Sequence, residues 1–222
     1  MAFTSFRFIV FLVLAAAAYF LTPKRCRWVT LFVANYVFYF ISGGKIFVYL
    51  LATTITTYLA TVKLGNMAAK NKEAFNAVKA ELDKEEKKAW KANFTKQKKK
   101  ILVPTVLFNF GILAVLKYSA FVTTNINALF GKFGIGGELP VFQFLLPLGI
   151  SFYTFQSMGY LIDVYREKQE PERNFFKLAL FISFFPQIVQ GPIGRFGTLA
   201  EQLFRPNEFS YTRIKFGVQL ML

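Results

Sequence analysis

The sequence alternates long apolar stretches with short polar ones, most of which are basic. Six of the apolar stretches approach the ~20 residues that a membrane-spanning helix needs, and we predict one span in each. They cover residues 6–21, 28–41, 46–62, 101–117, 141–163 (kinked at Pro147) and 175–193. A seventh apolar stretch runs from residue 214 to residue 222 and is too short to cross a bilayer. We therefore expect the sequence to stop inside an element and to be the N-terminal part of a longer protein.

Residues 63–100 form the one long hydrophilic segment and contain twelve lysines. Phe75, Val78, Leu82 and Ala89 recur at the spacing of one helix face, which predicts an amphipathic helix. On the simplest interpretation this helix lies on the inner leaflet, with its lysines among the lipid headgroups. The alternative is a docking surface for an acidic partner.

The basic residues set the predicted orientation, because lysine and arginine concentrate on the cytoplasmic side of a membrane protein. Placing residues 63–100 in the cytoplasm also places the basic turns at 24–27 and 166–173 there. It leaves the sparsely charged connections at 42–45 and 118–140 outside. The predicted fold is accordingly all-α: a polytopic membrane helix bundle, with one transmembrane domain over residues 1–222 and a cytoplasmic basic insertion. We expect a multi-pass protein of the inner or plasma membrane.

The composition agrees with this prediction and excludes a soluble domain. The chain is 55% hydrophobic and contains 29 phenylalanines. Its formal net charge of +15 would suit a nucleic-acid binder. Most of the basic residues flank apolar spans, however, so we expect them to meet lipid headgroups and expect no nucleic-acid partner. The single cysteine excludes an internal disulfide, and the absence of histidine removes the commonest general base and transition-metal ligand. We predict no metal site.

Four polar side chains punctuate the fifth predicted span. Tyr153, Gln156, Tyr160 and Asp163 are spaced three, four and three residues apart, so they share one face of a helix. A polar group that faces lipid goes unsatisfied, and an aspartate near the centre of a membrane helix costs ~3 kcal/mol. We therefore expect this face, called the polar stripe below, to look into protein or into a watery cavity.

The sixth predicted span contains helix-breaking residues. Pro186, Gly191, Pro192 and Gly194 lie among apolar side chains, and prolines and glycines interrupt regular helix. Broken backbone at membrane depth is tolerated only where protein or a cavity supplies hydrogen-bond partners. Together with the polar stripe, this stretch predicts the wall of an intramembrane site. Its polar members are Gln187, Gln190 and Arg195.

Each candidate also has a plain structural interpretation. The uncharged members of the polar stripe would bond neighbouring helices, each contributing ~0.6 kcal/mol. Asp163 would pair with Arg166 or another cation at the membrane surface, and residues 191–192 would form a turn that shapes the bundle. Arg195 is the candidate best suited to a ligand, because it directly follows the break and a guanidinium binds carboxylate or phosphate bidentately.

Two of these stretches resemble the signature of the membrane-bound O-acyltransferase family. They are LPLGISFYTFQSMGYLIDVYR at residues 146–166 and FFPQIVQGPIGRF at residues 184–196. FTSFRFIVF at 3–11 and ANYVFYF at 34–40 resemble the same family, in its branch of alginate O-acetyltransferases and D-alanyl-lipoteichoic-acid transferases. The pair at 117–118 with the Phe/Val/Asn loop after it does so as well. The likeness covers nearly the whole chain in order.

The resemblance implies a many-helix bundle with a tunnel through the membrane. A thioester-borne acyl group, from acetyl-coenzyme A or an acyl-carrier protein, would enter from the cytoplasm, and a polysaccharide hydroxyl would be acylated at the outer face. No bound cofactor is implied. The implied partners are the lipid bilayer, the polysaccharide acceptor, an acyl-carrier protein and an extracytoplasmic protein similar to the SGNH hydrolases. The catalytic histidine of the family lies on a later segment, beyond residue 222, and some relatives have histidine where this chain has Gln187.

Acyl transfer to an alcohol needs a base that takes the hydroxyl proton and donors that hold the oxyanion. The two stretches offer hydrogen-bond donors and one carboxylate, Asp163, but no base of ordinary pKa near neutrality. We therefore expect this chain alone to be inactive. The alternative is a complete, non-enzymatic membrane carrier or scaffold of cell-envelope polysaccharide assembly. A transporter ranks last, because the two sets of three spans show none of the internal similarity that inverted repeats would give.

Overall fold

The computed structural model describes residues 6–43, 47–80, 82–134, 139–141, 146, 149–190, 194–205 and 207–221. Every regular element in these ranges is helical, as predicted. A 3-10 turn at Lys24–Cys26 follows the first α-helix. The α-helices are α1 (Phe6–Leu21), α2 (Arg27–Gly43), α3 (Phe47–Val78), α4 (Lys84–Phe133), α5 (Ile150–Tyr165), α6 (Phe175–Ser183), α7 (Phe185–Gln190), α8 (Phe196–Phe204) and α9 (Tyr211–Met221).

The apolar helices fit a membrane helix bundle. Helices α3 and α4 are long and apolar enough to cross a membrane, while α1 and the stretch Phe175–Gln187 are apolar but shorter. Large apolar side chains face outward on several helices: Leu14 of α1 is 63% exposed and Leu107 of α4 is 66% exposed. Such surfaces are stable in lipid, where an outward leucine has no cost. The count of six spans and their orientation stay predictions.

The prediction of one amphipathic helix over residues 63–100 is wrong. The helix of the third predicted span continues beyond residue 62 to Val78, and α4 begins at Lys84. The segment is therefore an antiparallel pair of helix extensions. We call it the basic hairpin. Its two arms are joined where Trp90 Nε1 donates to Asn71 Oδ1 at 2.9 Å and the Phe75 and Trp90 rings meet at 6.0 Å. Phe75, one of the apolar positions that indicated a helix on the membrane surface, thus contacts the other arm.

Helix α4 has 50 residues and is therefore ~75 Å long. A capping box starts it, in which the Asp83 amide donates to Glu86 Oε2 at 2.8 Å and the Asp83 side chain accepts from the third helical amide. Gly134, in the left-handed region at φ 63°, ends it. Because the helix continues to Phe133, the predicted connection at residues 118–140 is helical over residues 118–133.

The core is assembled around α3 and α5, which pack against each other and share α4 and α6 as neighbours. Helix α2 packs against α6 and α1, and α8 covers α6 and α2. Helix α5 starts at Ile150 after Gly149, which adopts φ 69°. The predicted kink at Pro147 lies outside the described residues. Residues 195–213, predicted only as polar, contain the whole of α8, whose inner face buries Phe196, Ala200 and Leu203.

Candidate functional site

The polar stripe of α5 faces the interior of the bundle. Tyr153 is 1% exposed, and Gln156 and Tyr160 are each 2% exposed. Asp163, one turn further towards the end of the helix, is half-buried. The expectation that this face turns away from lipid therefore agrees with the structure.

The predicted break in the sixth span falls at Phe184, between α6 and α7, where the backbone leaves the helical region at φ −57° and ψ 98°. The physical cause is Pro186. In a continuous helix its ring would clash with the carbonyl of residue 182, and it has no amide hydrogen to donate. The break therefore lies two residues before the proline that causes it. Residues 191–193, which include the Gly-Pro pair thought to form a turn, lie outside the described residues.

Two side chains from neighbouring helices satisfy the backbone groups that the break exposes. In an unbroken helix the amide of Phe185 would donate to the carbonyl of Phe181. Here the Phe185 amide donates to Asn35 Oδ1 at 2.8 Å, and the Phe181 carbonyl accepts from Gln156 Nε2 at 2.8 Å. Asn35 Nδ2 also donates to Ser183 Oγ. Asn35 and Ser183 are both fully buried. Gln156 therefore has a structural partner, and Asn35 is a residue that the site prediction missed.

Tyr160 fastens the connection between α5 and α6. Its hydroxyl accepts from the amide of Glu172 at 2.7 Å. The ring of Tyr160 packs against Phe196 at 4.7 Å, which brings the first turn of α8 onto the polar stripe. On the neighbouring helix, Tyr58 donates its hydroxyl to the carbonyl of Arg173 at 2.8 Å. The plain structural interpretation of Tyr160 thus has a concrete partner.

Lys98 is the buried cation of this end of the bundle, at 8% exposure. Its ammonium donates to the carbonyl of Tyr165 at 2.9 Å and to Glu167 Oε1 at 2.6 Å. It also lies 4.7 Å from the centre of the Phe94 ring and 5.1 Å from that of Tyr165. A cation on the last carbonyls of a helix complements its dipole. Lys98 therefore joins α4 to the end of α5, a role hidden in the sequence by its position in a run of lysines.

Asp163 takes part in neither of the two ion pairs in the described part of the chain, which are Lys24–Glu208 and Lys98–Glu167. The interpretation that it pairs with Arg166 is therefore wrong. Its backbone carbonyl accepts from the amide of Lys168 at 3.0 Å, at the helix end.

The polar members of the second stretch are divided between two environments. Gln187 is half-buried and lies against Gly194, where a Cβ would come within 2.2 Å of Gln187 Nε2. Gln190 is the last residue of α7. Arg195 is exposed and precedes α8, with its carbonyl accepting from Leu199 at 3.0 Å. The structure thus does not bury Arg195 with the polar stripe.

Buried tyrosine hydroxyls form a second feature that sequence reasoning missed. Tyr39 is 5% exposed, and its hydroxyl is buried in the bundle, as are the hydroxyls of Tyr36 and Tyr153. Neither the Tyr39 nor the Tyr153 hydroxyl has a hydrogen-bond partner among the described residues. The Tyr36 hydroxyl lies near the Ser183 hydroxyl. The three-residue spacing of Tyr36 and Tyr39 in ANYVFYF was the available signal, because it puts both on one helix face.

Some of the clefts that described residues line open elsewhere on the surface. A polar cleft of about 650 Å³ lies between α8 and α9, lined by Arg205, Glu208 and Arg213 among others. An apolar cleft of about 480 Å³ lies between α3 and α4 beside Tyr49, and one of about 340 Å³ lies further along the same helices. No member of the polar stripe lines these clefts, so the watery cavity beside it stays a prediction. The described residues contain no group of three metal-ligating side chains.

The arrangement offers buried, uncharged hydrogen-bond donors in an apolar bundle. It offers no imidazole, because the sequence contains no histidine. Phenols of ordinary pKa near 10 stay protonated at neutral pH and can donate to a carbonyl oxygen or an oxyanion. The described part of the site can therefore donate hydrogen bonds to a carbonyl oxygen.

Comparison with known proteins places this arrangement in context. The chain is 31% identical over 218 residues to the probable alginate O-acetylase of Azotobacter vinelandii. The matched region is 98% of this chain and 38% of the relative. It is 29% identical to the probable alginate O-acetylase of Pseudomonas aeruginosa, again over 98% of this chain and 36% of the relative. A peptidoglycan O-acetyltransferase of Helicobacter pylori is 29% identical over 143 residues, 53% of this chain and 26% of the relative.

The chain therefore spans less than two fifths of the length of these curated relatives. No family model matches the sequence, and no solved structure matches it.

Proposed function

Since the chain belongs with the alginate O-acetylases to the membrane-bound O-acyltransferase family, we propose that it forms part of a membrane enzyme that acylates hydroxyls of an extracytoplasmic polysaccharide. The transferred group is acetyl or a similar short acyl group. The donor is a cytoplasmic thioester, either acetyl-coenzyme A or an acyl-carrier protein. The observation that carries the proposal is the similarity over 98% of the chain to proteins named for O-acetylation of alginate.

The geometry supports a route for an acyl group along α5. Tyr153 and Tyr160 are seven residues apart on α5, which corresponds to ~10 Å along the helix axis. The broken helix beside them brings α7 and α8 to the same face. Buried polar groups in a membrane bundle mark substrate pathways more often than polar groups on a lipid-facing surface do. Tyr153, Gln156, Tyr160 and Asp163, with Gln187, Gln190 and Arg195, remain the residues proposed to border the route.

The chemistry of the transfer divides between this chain and the remainder of the enzyme. The acceptor hydroxyl must lose a proton as it attacks the acyl carbon, and the tetrahedral oxyanion must be stabilised before the thiolate leaves. We propose that an imidazole from a segment beyond residue 222 takes the proton. This chain supplies the wall of the route and neutral donors to the acyl oxygen. On this proposal the 222 residues alone do not turn over substrate.

The alternative is a non-enzymatic carrier or scaffold of cell-envelope polysaccharide assembly in a multi-pass inner membrane protein. The sequence feature that favours it is the absence of a neutral-pH base among the 222 residues. The two functions differ in one measurable respect, because only the enzyme forms new ester bonds.

The test is to express the complete protein in a bacterium that lacks its own alginate O-acetylase and to measure acetyl esters on the secreted polymer by nuclear magnetic resonance. Restored esters support the enzyme. Membrane-inserted protein without esters, on alginate or on peptidoglycan, supports the carrier or scaffold. Arg195→Ala separates a ligand role from a structural one: we expect ester formation to fall with insertion unchanged, and wild-type ester content would make Arg195 structural.

A further inference from the structure

The two apolar clefts between α3 and α4 follow one another along the same pair of helices. On α4 the larger cleft, of about 480 Å³, is lined by side chains within residues 107–116. The smaller cleft, of about 340 Å³, is lined by side chains within residues 101–108 of α4 and 56–63 of α3. Phe108 lines both, so the clefts are adjoining parts of one groove, called the α3–α4 groove below. On α4 this groove covers residues 101–116, which is ~22 Å along the helix axis.

The α3–α4 groove opens away from the bundle. On its α4 side Leu107 is 66% exposed, Phe108 is 51% exposed and Val115 is 56% exposed. Gly111 also lines the larger cleft and leaves room in it, because a Cβ at that position would have nothing within 4 Å. In a bilayer the groove would therefore be open to lipid from the side, with space for a narrow chain.

The lining of the groove is almost wholly apolar. Two threonines line the smaller cleft, and their hydroxyls are bonded within their own helices. Thr56 donates to the Ala52 carbonyl and Thr105 donates to the Ile101 carbonyl, each at 2.8 Å. Tyr49 is the one further uncharged polar side chain that the described residues contribute to the lining. These walls offer a ligand apolar contacts rather than hydrogen bonds, which suits an acyl chain.

Positive charge lies at one end of the groove. Lys63 is exposed and lines the smaller cleft where α3 enters the basic hairpin. Lys100 precedes Pro104 by four residues, so it lies on the face of α4 that borders the same cleft. Neither lysine belongs to the two ion pairs of the described part of the chain. Residues 56–72 and 87–133 contain no aspartate or glutamate, so this end of the groove suits an anion.

We propose that the α3–α4 groove binds an anionic phospholipid, with an acyl chain in the groove and the phosphate between Lys63 and Lys100. A lysine ammonium binds phosphate as a point charge with three donors. A phospholipid joins a phosphate to an apolar chain, which matches a groove that is basic at one end and apolar along its length. One leaflet accounts for about half of a ~30 Å hydrocarbon core, so ~22 Å is enough for one chain.

The predicted orientation agrees with this occupant. The basic hairpin is cytoplasmic in that orientation, and the cytoplasmic leaflet is the one that carries a negative surface potential from anionic lipids. The inference goes beyond the proposed function, because the lipid binds without any transfer of an acyl group.

Lysines near the tip of the basic hairpin provide matched controls. Lys84 and Lys88 are exposed, as Lys63 and Lys100 are. Along α4 they lie ~24 Å and ~18 Å from Lys100, which is more than the Debye length of ~8 Å at physiological salt. A phosphate at the end of the groove should therefore interact with Lys63 and Lys100 and not with the two lysines near the tip.

The test uses phosphatidylglycerol with a photoreactive diazirine near the end of one acyl chain, in phosphatidylcholine vesicles that contain the complete protein. We expect crosslinks within residues 107–116, and unlabelled phosphatidylglycerol should compete with the probe where phosphatidylcholine does not. Lys63→Gln and Lys100→Gln should each weaken binding about fivefold, the order that one basic residue contributes at an anionic surface. Lys84→Gln and Lys88→Gln remove the same charge and should leave binding unchanged.

A second pair of variants tests the groove itself. Gly111→Leu fills the larger cleft, so the crosslinks within residues 107–116 should disappear. The melting temperature should not fall, because the added Cβ meets no neighbouring atom within 4 Å. Gly131→Leu is the control, since Gly131 lies on the same helix, is equally free of neighbours and does not line the groove. It should leave the crosslinks unchanged.

Three outcomes would overturn the inference. Equal crosslinking by a phosphatidylcholine probe with the same chains would mean that the lysines bind no phosphate. A complete protein without crosslinks in the groove would mean that another part of the chain covers it. Lys84→Gln and Lys88→Gln variants that bind as weakly as Lys63→Gln and Lys100→Gln would mean that general surface charge attracts the lipid. None of these measurements uses ester formation, so they are distinct from a failure of the proposed function.

Discussion

Asn35 Oδ1 accepts the backbone amide of Phe185 at 2.8 Å, in the place that the carbonyl of Phe181 would occupy in an unbroken helix. One buried asparagine of α2 thus holds open the break between α6 and α7, 150 residues along the chain. In lipid an unpaired amide is costly, and water is not at hand to replace the partner. The break that gives the candidate site its shape depends on this contact.

Asn35→Leu should therefore destabilise the bundle. Leucine fills a similar volume but leaves the Phe185 amide and the Ser183 hydroxyl without this partner, and a buried unpaired group costs ~1–3 kcal/mol. Denaturation of the purified protein in mixed micelles would measure the loss. Asn125→Leu is the control, because Asn125 is exposed and its one bond among the described residues is to the Phe121 carbonyl of its own helix. Equal stability of the two variants would show that the break holds without Asn35.

Gln156→Leu removes the other half of the same arrangement. It leaves the Phe181 carbonyl unpaired, and we expect a loss of about 1 kcal/mol, because a carbonyl is somewhat more easily left unsatisfied than an amide. Since both residues act on one break, the double variant with Asn35→Leu should lose less than the sum of the single variants, by at least ~0.5 kcal/mol. Strict additivity in the same denaturation assay would mean that the two contacts are independent.

Much of this arrangement follows from sequence pattern alone. The spacing of the polar stripe indicates which face of α5 is buried, and Pro186 indicates the break. Both features could be predicted because each depends on one helix only. The partners of these residues were not predictable in the same way. Asn35 lies in a different helix, 150 residues before Phe185, and nothing in its own surroundings indicates that distant contact.

For the basic hairpin, the sequence pattern led to a wrong prediction. The apolar residues of the segment 63–100 have helical periodicity whether the helix lies on a membrane or packs against a second helix, so the pattern could not separate the two. Between α3 and α4 the sequence contains no glycine or proline that would indicate a turn. The burial of Lys98 was missed for a similar reason. It depends on where α5 ends, and a run of lysines does not indicate the position of that helix end.

Gly65→Ala should disrupt the contact between α3 and the loop after α5. A Cβ at this position would lie 2.2 Å from Cγ and 2.9 Å from Cδ of Pro171, and a proline ring cannot rotate away. Overpacking of this kind costs ~1–3 kcal/mol. Gly159→Ala is the control, because a Cβ there has nothing within 4 Å and alanine favours helix by ~1 kcal/mol. The melting temperature should fall in the first variant and stay or rise in the second; two equal shifts would contradict the packing argument.

The contact between Lys24 and Glu208 should depend on pH. The hydrogen bond and the charge of Lys24 lower the pKa of the Glu208 carboxyl from its ordinary value of 4.5. A lowered pKa means that the contribution is present above pH 4.5 and is lost as the pH falls through the lowered value. The pair ties the loop between α8 and α9 to the turn after α1, so acid should release that loop.

Spin labels give a direct measurement of this release. Cys26 is exposed and is the one cysteine of the chain, so a second label at Ser210→Cys reports the distance between turn and loop. We expect a narrow distance distribution at pH 7 that broadens below about pH 4.5. Glu208→Gln should be broad at both pH values. A distribution that stays narrow in Glu208→Gln would show that Arg27, which bonds the Asn207 carbonyl, holds the loop by itself.

Lys98→Met should detach the basic hairpin from the end of α5. The variant keeps most of the side-chain volume but removes the bonds to the Tyr165 carbonyl and to Glu167. A charged hydrogen bond to a buried group contributes ~1.5–3 kcal/mol, whereas the pair with Glu167 adds less, because the Glu167 side chain is 55% exposed. Most of the lost stability should therefore come from the bond to the Tyr165 carbonyl, and less from the ion pair with Glu167.

This order of effects can be checked with two further variants and limited proteolysis of the hairpin. Lys99→Met removes an exposed neighbouring lysine and should leave the cleavage rate unchanged. Glu167→Gln keeps Lys98 on the Tyr165 carbonyl and should raise the rate only slightly. If Glu167→Gln exposed the hairpin as strongly as Lys98→Met, the ion pair would be the main attachment. The helix end that Lys98 caps would then contribute little, and α4 would be joined to α5 chiefly by charge at the surface.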